Sequence, residues 1–287
     1  MKPSQYCRNL CRQSKSNFVY AFRFLPNERR RALEAFYAFC TTVDAAVDCH
    51  DDKNEARELL LYWHREVANM YAGRPEHPVA AALAPSLTTF HVPRHYLDDI
   101  ISGCEMDLDQ TSYHAFPELE DYCYRVASCV GLVCLYIFGL TPNEQNLKTA
   151  IALGKALQLT NILRDIVHDH QLGRVYLPQE DFTRTGVTMA DLVNGTNRYG
   201  TKELLTLEIR RARNFFAESF AGFPEDRKER RRWMAPLLIG KVYEQLLDRI
   251  EADPLAVMRE RVTVSRWEKL KIIGRTVGGL YGFSPPL

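Results

Sequence analysis

The chain has 287 residues and 46% hydrophobic content, enough to bury a large core. Lys and Arg number 37 against 36 Asp and Glu, a formal net charge of +1, so no global charge excess argues for nucleic-acid binding. The N-terminus lacks the apolar stretch of a secretory signal, and the longest apolar run, Val130 to Leu140, falls short of the ~20 residues of a membrane span, which predicts a cytoplasmic protein able at most to touch a bilayer.

Helical periodicity dominates the chain. Pro26 to Asp48 opens on Pro-Asn and carries apolar and aromatic residues at three- and four-residue spacing. A second helix fits Asn54 to Tyr71 and stops at Gly73-Arg74-Pro75. A short one fits Val79 to Thr89, and another runs from Pro93 to about Asp107. Leu119 to Phe138 reads as a long, nearly all-apolar helix stopped by Gly139 and Pro142, and Glu144 to His168 follows. Gln171 to Asn197 is rich in Gly, Thr, Asp and Asn and predicts a long loop with one short helix inside it. Helices resume over Thr201 to Phe220, Arg227 to Ile250 and about Ser265 to Thr276. No alternating strand pattern, repeat or linker interrupts this order, so the expectation is one all-α domain over residues 1–287. Eight cysteines without a Cys-x-x-Cys pair predict reduced, packed thiols. The basic run Asp226 to Arg232 reads as a solvated helix start, with a membrane-surface contact as the other option.

Two aspartate pairs stand out, Asp44 with Asp48 and Asp165 with Asp169. On a helix four residues turn the chain by about 400°, so each pair points one way, about one turn or ~6 Å apart. Like charges at this spacing repel, and these lie among Phe36, Phe39, Val43 and Val47 or among Leu159, Ile162, Leu163 and Ile166. The first pair has no Lys or Arg one turn away. A hard cation bridged to a ligand's diphosphate resolves the repulsion, since Mg²⁺ takes few carboxylates and fills its octahedron with water and phosphate oxygens. Gln158, Asn161, Asp165 and Asp169 form one polar stripe, with Arg164 beside it as a bidentate phosphate donor. Gly173-Arg-Val-Tyr-Leu-Pro178 then supplies Arg174 and Tyr176. His168 and His170 flank Asp169, and pairing with that carboxylate is the simpler role for them.

At these residues the sequence resembles the squalene/phytoene synthase family, over nearly the whole chain from Phe18 to about Lys271. The resemblance rests on Ser16-Asn-Phe-Val-Tyr-Ala-Phe22, on Tyr37 with Asp44 and Asp48, on Asp121 through Gly131, and on Gln158-Leu-Thr-Asn-Ile-Leu-Arg-Asp165 through Pro178. It implies a class I terpene-synthase helical bundle around an apolar cavity, and head-to-head joining of two prenyl diphosphates. Two or three Mg²⁺ ions would be held by Asp44, Asp48, Asn161, Asp165 and Asp169. The resemblance places Tyr37 and Tyr176 beside these aspartates in the catalytic set. It places Ser16, Phe18, Phe22, Thr41, Val130, Gln158, Arg164, Arg174 and Tyr243 around the substrates. Farnesyl diphosphate with a squalene-type C30 product is the expectation, and geranylgeranyl diphosphate with phytoene is the alternative. No Gly-rich dinucleotide motif is present, so NADPH is not indicated. Two positions depart from the family pattern: Thr41 stands where an arginine is common, and Ala45 where a second aspartate is usual. Two other readings compete. One is a non-catalytic relative acting in binding or assembly. The other is a metal phosphohydrolase built on His50-Asp51 and His168-Asp169.

Overall fold

Helix runs through nearly every segment of the computed structural model, which describes residues 1–13, 25–50 and 52–281. The helices are α1 (Pro3–Gln13), α2 (Asn27–Asp48), α3 (Lys53–Tyr71), α4 (Pro78–Thr89), α5 (Arg94–Asp109) and α6 (Phe116–Phe138). They continue with α7 (Glu144–Gln171), α8 (Gln179–Thr185), α9 (Met189–Asn194), α10 (Arg198–Ala221), α11 (Arg227–Arg232), α12 (Met234–Ala252) and α13 (Arg266–Tyr281). Among the described residues the only extended pairing is an isolated bridge between Ser112 and Val175. The all-α expectation therefore holds.

Local chemistry sets the boundaries. Asp52 caps α3 by accepting from the Asn54 N–H at 2.8 Å, and Asn143 caps α7 through the Asn146 N–H. Gly139, at φ 69°, ends α6 in the left-handed region that favours glycine. The central helix is α7, which packs on α6, α10 and α12. Its buried residues, from Thr149 to Ile166, include few polar groups.

Four boundaries differ from the sequence reading. Helix α1 was not foreseen; its Cys7 and Cys11, one turn apart, are buried, and Cys11 Sγ donates to the Glu34 carbonyl at 3.4 Å. The expected helix Arg227 to Ile250 is two, broken at Trp233. Pro236 has no N–H to give the Arg232 carbonyl, so the helical ladder cannot run through. The loop after α7 holds two short helices, the second opened by a reciprocal capping box of Thr188 and Asp191. Helix α6 begins at Phe116 and is long and apolar enough to cross a membrane, contrary to the estimate from the run Val130 to Leu140; 56% of its most apolar window is buried inside the protein.

Midway along α6, Tyr124–Ser128 widens into a π turn. Here α6 and α7 approach so closely that a Cβ on Gly154 would lie 2.5 Å from Ser128 Cα. The Ser128 hydroxyl donates across this contact to the Ile151 carbonyl at 2.8 Å. The neighbour is backbone, so it has no flexible end to move aside. Gly154→Ala should therefore destabilise the protein by about 1–3 kcal/mol despite alanine's better helix propensity. Urea unfolding with an unchanged slope checks this, and a more stable variant would contradict the close packing.

Candidate active site

Helices α2, α5, α6, α7 and α12 enclose a cavity of about 420 Å³. Three of the four paired aspartates line it, each on the polar side of an otherwise buried helix: Asp44 from α2, and Asp165 and Asp169 from α7. Tyr37, Thr41, Val130, Gln158, Asn161, Arg164, Tyr176 and Tyr243 line the same space. Asp48 lies one turn beyond Asp44 and is joined to Arg174, Nη2 to Oδ1 at 2.9 Å. Ser16, Phe18, Phe22 and Asp51 lie outside the described residues.

Arg174 owes its position to the end of α7. Gly173 turns at φ 78°, and the Arg174 N–H donates back to the Asp169 carbonyl at 2.9 Å. The next residue is fastened to the α5–α6 loop, Val175 N–H to the Thr111 carbonyl at 2.9 Å. Tyr176 then points inward, and its hydroxyl donates to Asp107 Oδ1 at 2.8 Å. Tyr122 Oη lies 3.1 Å from Asp107 Oδ2, and the Tyr122 and Tyr176 rings stack at 5.1 Å.

The four aspartates fall into two electrostatic classes. Burial pushes the Asp44 carboxyl up to about 7, with Asp48 and Asp107 adding repulsion. Its accessible surface faces the cavity, so the group is reachable yet ringed by protein. Asp169 is pushed up to about 6 by burial and by Asp165. Burial also works against Asp165, but arginines outweigh it and hold that group below the usual carboxylate range. Arg164 donates to it from one residue away, at 2.9 Å through Nε, and Arg261 chelates it with Nε–Oδ1 at 2.9 Å and Nη2–Oδ2 at 3.2 Å. Tyr243 lies beside Arg164 and favours its charged form. Burial raises Asp107, although Arg174 and the two phenols oppose it.

The protein's own arginines thus sit on Asp48 and Asp165; Arg174 reaches the first pair from far along the chain, beyond the one-turn neighbours that the sequence reading considered. Among the described residues Asp44 and Asp169 have no arginine bound to them, and burial with neighbouring carboxylates makes them hold their protons more tightly. Nearby Asn161 Oδ1 is buried without a hydrogen-bond partner. These are hard oxygen donors around a common space, and they suit Mg²⁺. Among the described residues no three His, Cys, Asp or Glu groups converge tightly enough to hold a metal unaided.

Thr41 bonds inward, its hydroxyl donating to the Tyr37 carbonyl at 2.9 Å, so it offers no cation to the cavity. His168 is exposed, with Nδ1 3.9 Å from Asp169. The sequence reading missed Asp107, Tyr122 and Arg261. Asp107 had a signal, since Ile100, Cys104 and Asp107 share one face of α5 and line the cavity together. Arg261 lies 96 residues from its partner and had none.

Behind the polar mouth a second, apolar chamber of about 180 Å³ adjoins the cavity. Val126, Val130, Gln158, Asn161 and Tyr243 border both spaces. Phe138, Leu153, Trp233 and Ile239 wall the chamber further in. The combination is a charged opening with a greasy interior, fit for an amphiphile with an anionic head and a hydrocarbon tail.

Residues 11–268 match the family model described as squalene/phytoene synthase. The chain is 34% identical over 280 residues to a phytoene synthase of Arthrospira platensis, covering 93% of this chain and 89% of the relative. It is 36% identical over 279 residues to a 15-cis-phytoene synthase of Synechocystis, covering 93% and 82%. Among solved structures it is similar to a ligand-bound dehydrosqualene synthase, with 28% identity and a TM-score of 0.83 over 98% of this chain and 97% of the other. It also resembles a squalene synthase from Alicyclobacillus acidocaldarius, with 28% identity and a TM-score of 0.77 over 87% and 93%.

Proposed function

This chain belongs to the squalene/phytoene synthase family, whose reaction joins two prenyl diphosphates head to head, and we propose that its own substrate is farnesyl diphosphate and its product a C30 isoprenoid. The observation that carries this reading is the apolar chamber set directly against the aspartate-lined mouth, with five residues bordering both. The C30 assignment is supported by the structural similarity to dehydrosqualene and squalene synthases over nearly the whole chain. The sequence relatives at 34–36% identity are phytoene synthases, and they favour geranylgeranyl diphosphate as the second reading.

Asp44, Asp48, Asn161, Asp165 and Asp169 would hold Mg²⁺ together with the substrates' diphosphate oxygens. Bound there, Mg²⁺ supplies positive charge that stabilises the departing diphosphate. Arg174 and Arg261, now on Asp48 and Asp165, are fork-shaped donors that could bind a substrate's diphosphate at this mouth. Tyr176, Tyr122 and Asp107 fix the neighbouring wall as one bonded unit. After ionisation the allylic cation needs a surface that offers no water. Val126, Val130 and the chamber behind them provide it, and there the double bond of the second substrate can attack.

Incubation with labelled farnesyl or geranylgeranyl diphosphate and Mg²⁺, with and without NADPH, followed by product mass, tests this. The expected result is conversion of the C15 substrate to a C30 product. Exclusive use of the C20 substrate would establish the second reading. Absence of diphosphate release from either would point to a non-catalytic relative.

A further inference from the structure

Helices α11 and α13 pack against one another and against α12, forming a corner that carries exposed basic and apolar side chains. Asp226 to Arg232 holds five basic residues against two acidic ones, and Arg266 to Tyr281 holds four against one. Glu268, the one acidic residue of α13, is engaged by Arg249 at 2.6 Å and by Ser265, so it subtracts little from the charge of the helix. On this local excess sit large exposed apolar groups. Trp267 is 76% exposed and Leu270, one turn on, is 56% exposed, with exposed Arg266, Lys271 and Arg275 around them. Ile272, on the other side of α13, packs on the core. A nearly neutral protein thus concentrates basic charge around a protruding Trp-Leu pair.

From this corner we infer that α11 and α13 dock the protein on an anionic lipid bilayer. The chemistry matches on both counts. Basic side chains meet lipid phosphates, while a tryptophan and a leucine insert at the headgroup boundary, where an indole is favoured. A nucleic acid would use the charge but leave Trp267 and Leu270 without an apolar partner. The placement has a consequence for the cavity. Trp233, the residue directly after α11, is a wall of the apolar chamber, so the docked face adjoins the space suited to hydrocarbon. The inference stands on surface chemistry and does not depend on which diphosphate is consumed.

Flotation of the full chain with vesicles tests it. Binding is expected to mixed phosphatidylcholine–phosphatidylglycerol vesicles, to weaken as salt rises, and to be absent with phosphatidylcholine alone. Arg230→Gln with Arg232→Gln, and separately Trp267→Ala with Leu270→Ala, should each weaken binding roughly tenfold or more. All four positions are exposed, so the parent's circular dichroism and urea midpoint should be retained. A second readout locates the contact. Trp63 and Trp233 are each only 3% exposed, so quenching by brominated lipid reports Trp267 and should vanish in Trp267→Phe. Failure to float with anionic vesicles, or floating that neither double variant weakens, would overturn the docking face. So would binding to a DNA duplex, without vesicle binding, that the arginine variant loses and the Trp267/Leu270 variant keeps, which would reassign the corner to nucleic acid.

Discussion

Asp44→Asn is expected to lower turnover of a prenyl diphosphate by roughly a thousandfold while leaving the metal-free protein at least as stable as the parent. The two halves have one cause. Asp44 opens onto the cavity with its carboxyl pushed up to about 7 by burial, Asp48 and Asp107, and Asp169 behaves similarly, reaching about 6. An unfolded aspartate titrates near ~3.9. Each group therefore binds its proton more tightly in the folded chain than in the unfolded one. The stability this confers is complete below about pH 4 and is lost as pH rises through 6 to 7. Above that range the metal-free fold carries an uncompensated carboxylate, and asparagine removes that burden. The metal-free variant should therefore lose less stability than the parent between pH 5 and 8. Urea unfolding in the presence of a chelator measures this, and a Mg²⁺-dependent turnover assay measures the rest. Unchanged turnover would remove Asp44 from the site. Stability falling in parallel with the parent across that range would remove the electrostatic account.

The largest stability effect should come from Arg211→Ala, about 3–5 kcal/mol at neutral pH. Arg211 on α10 is the shared partner of two carboxylates that are almost wholly buried, Asp181 on α8 at 2% exposure and Glu208 at 1%. Its guanidinium also lies 4.3 Å from the centre of the Phe116 ring. Truncation would leave Asp181 buried and without its counter-charge, the costly case for an ion pair. Burial pushes the Glu208 carboxyl up to about 8, so near pH 7 it is mostly protonated. Glu208→Gln should therefore change stability by less than about 1 kcal/mol, because the amide replaces a neutral acid. Urea midpoints of the two variants, compared at constant slope, give the test. Equal losses would mean that the cluster depends on a charged Glu208. The effect should extend to the site, because α8 follows directly on the segment that carries Arg174 and Tyr176 and is tied to the α5–α6 loop through the Gln179 and Glu180 N–H groups.

Much of the fold was legible because it is written in short-range patterns. The three- and four-residue spacing of Phe36, Phe39 and Val43 marks the buried face of α2, and Gly139 marks the end of α6. The break at Trp233 was legible in principle from Pro236, but the continuous apolar periodicity around it outweighed one missing donor. The π turn at Tyr124–Ser128 left no mark in the local sequence, since it answers to the close approach of Gly154 on another helix.

The sequence by itself determined that this chain is helical and that two turns of helix carry paired aspartates among apolar neighbours. Both follow from spacing along one element, and spacing survives without any knowledge of what lies opposite. Only the tertiary structure decided which aspartates remain unneutralised. Arg174 reaches Asp48 and Arg261 reaches Asp165 across the fold, while Asp107 crowds Asp44 from α5. The strength of a charge's interactions depends on distance and on how much water surrounds it, and the packing of helices far apart in the chain sets both.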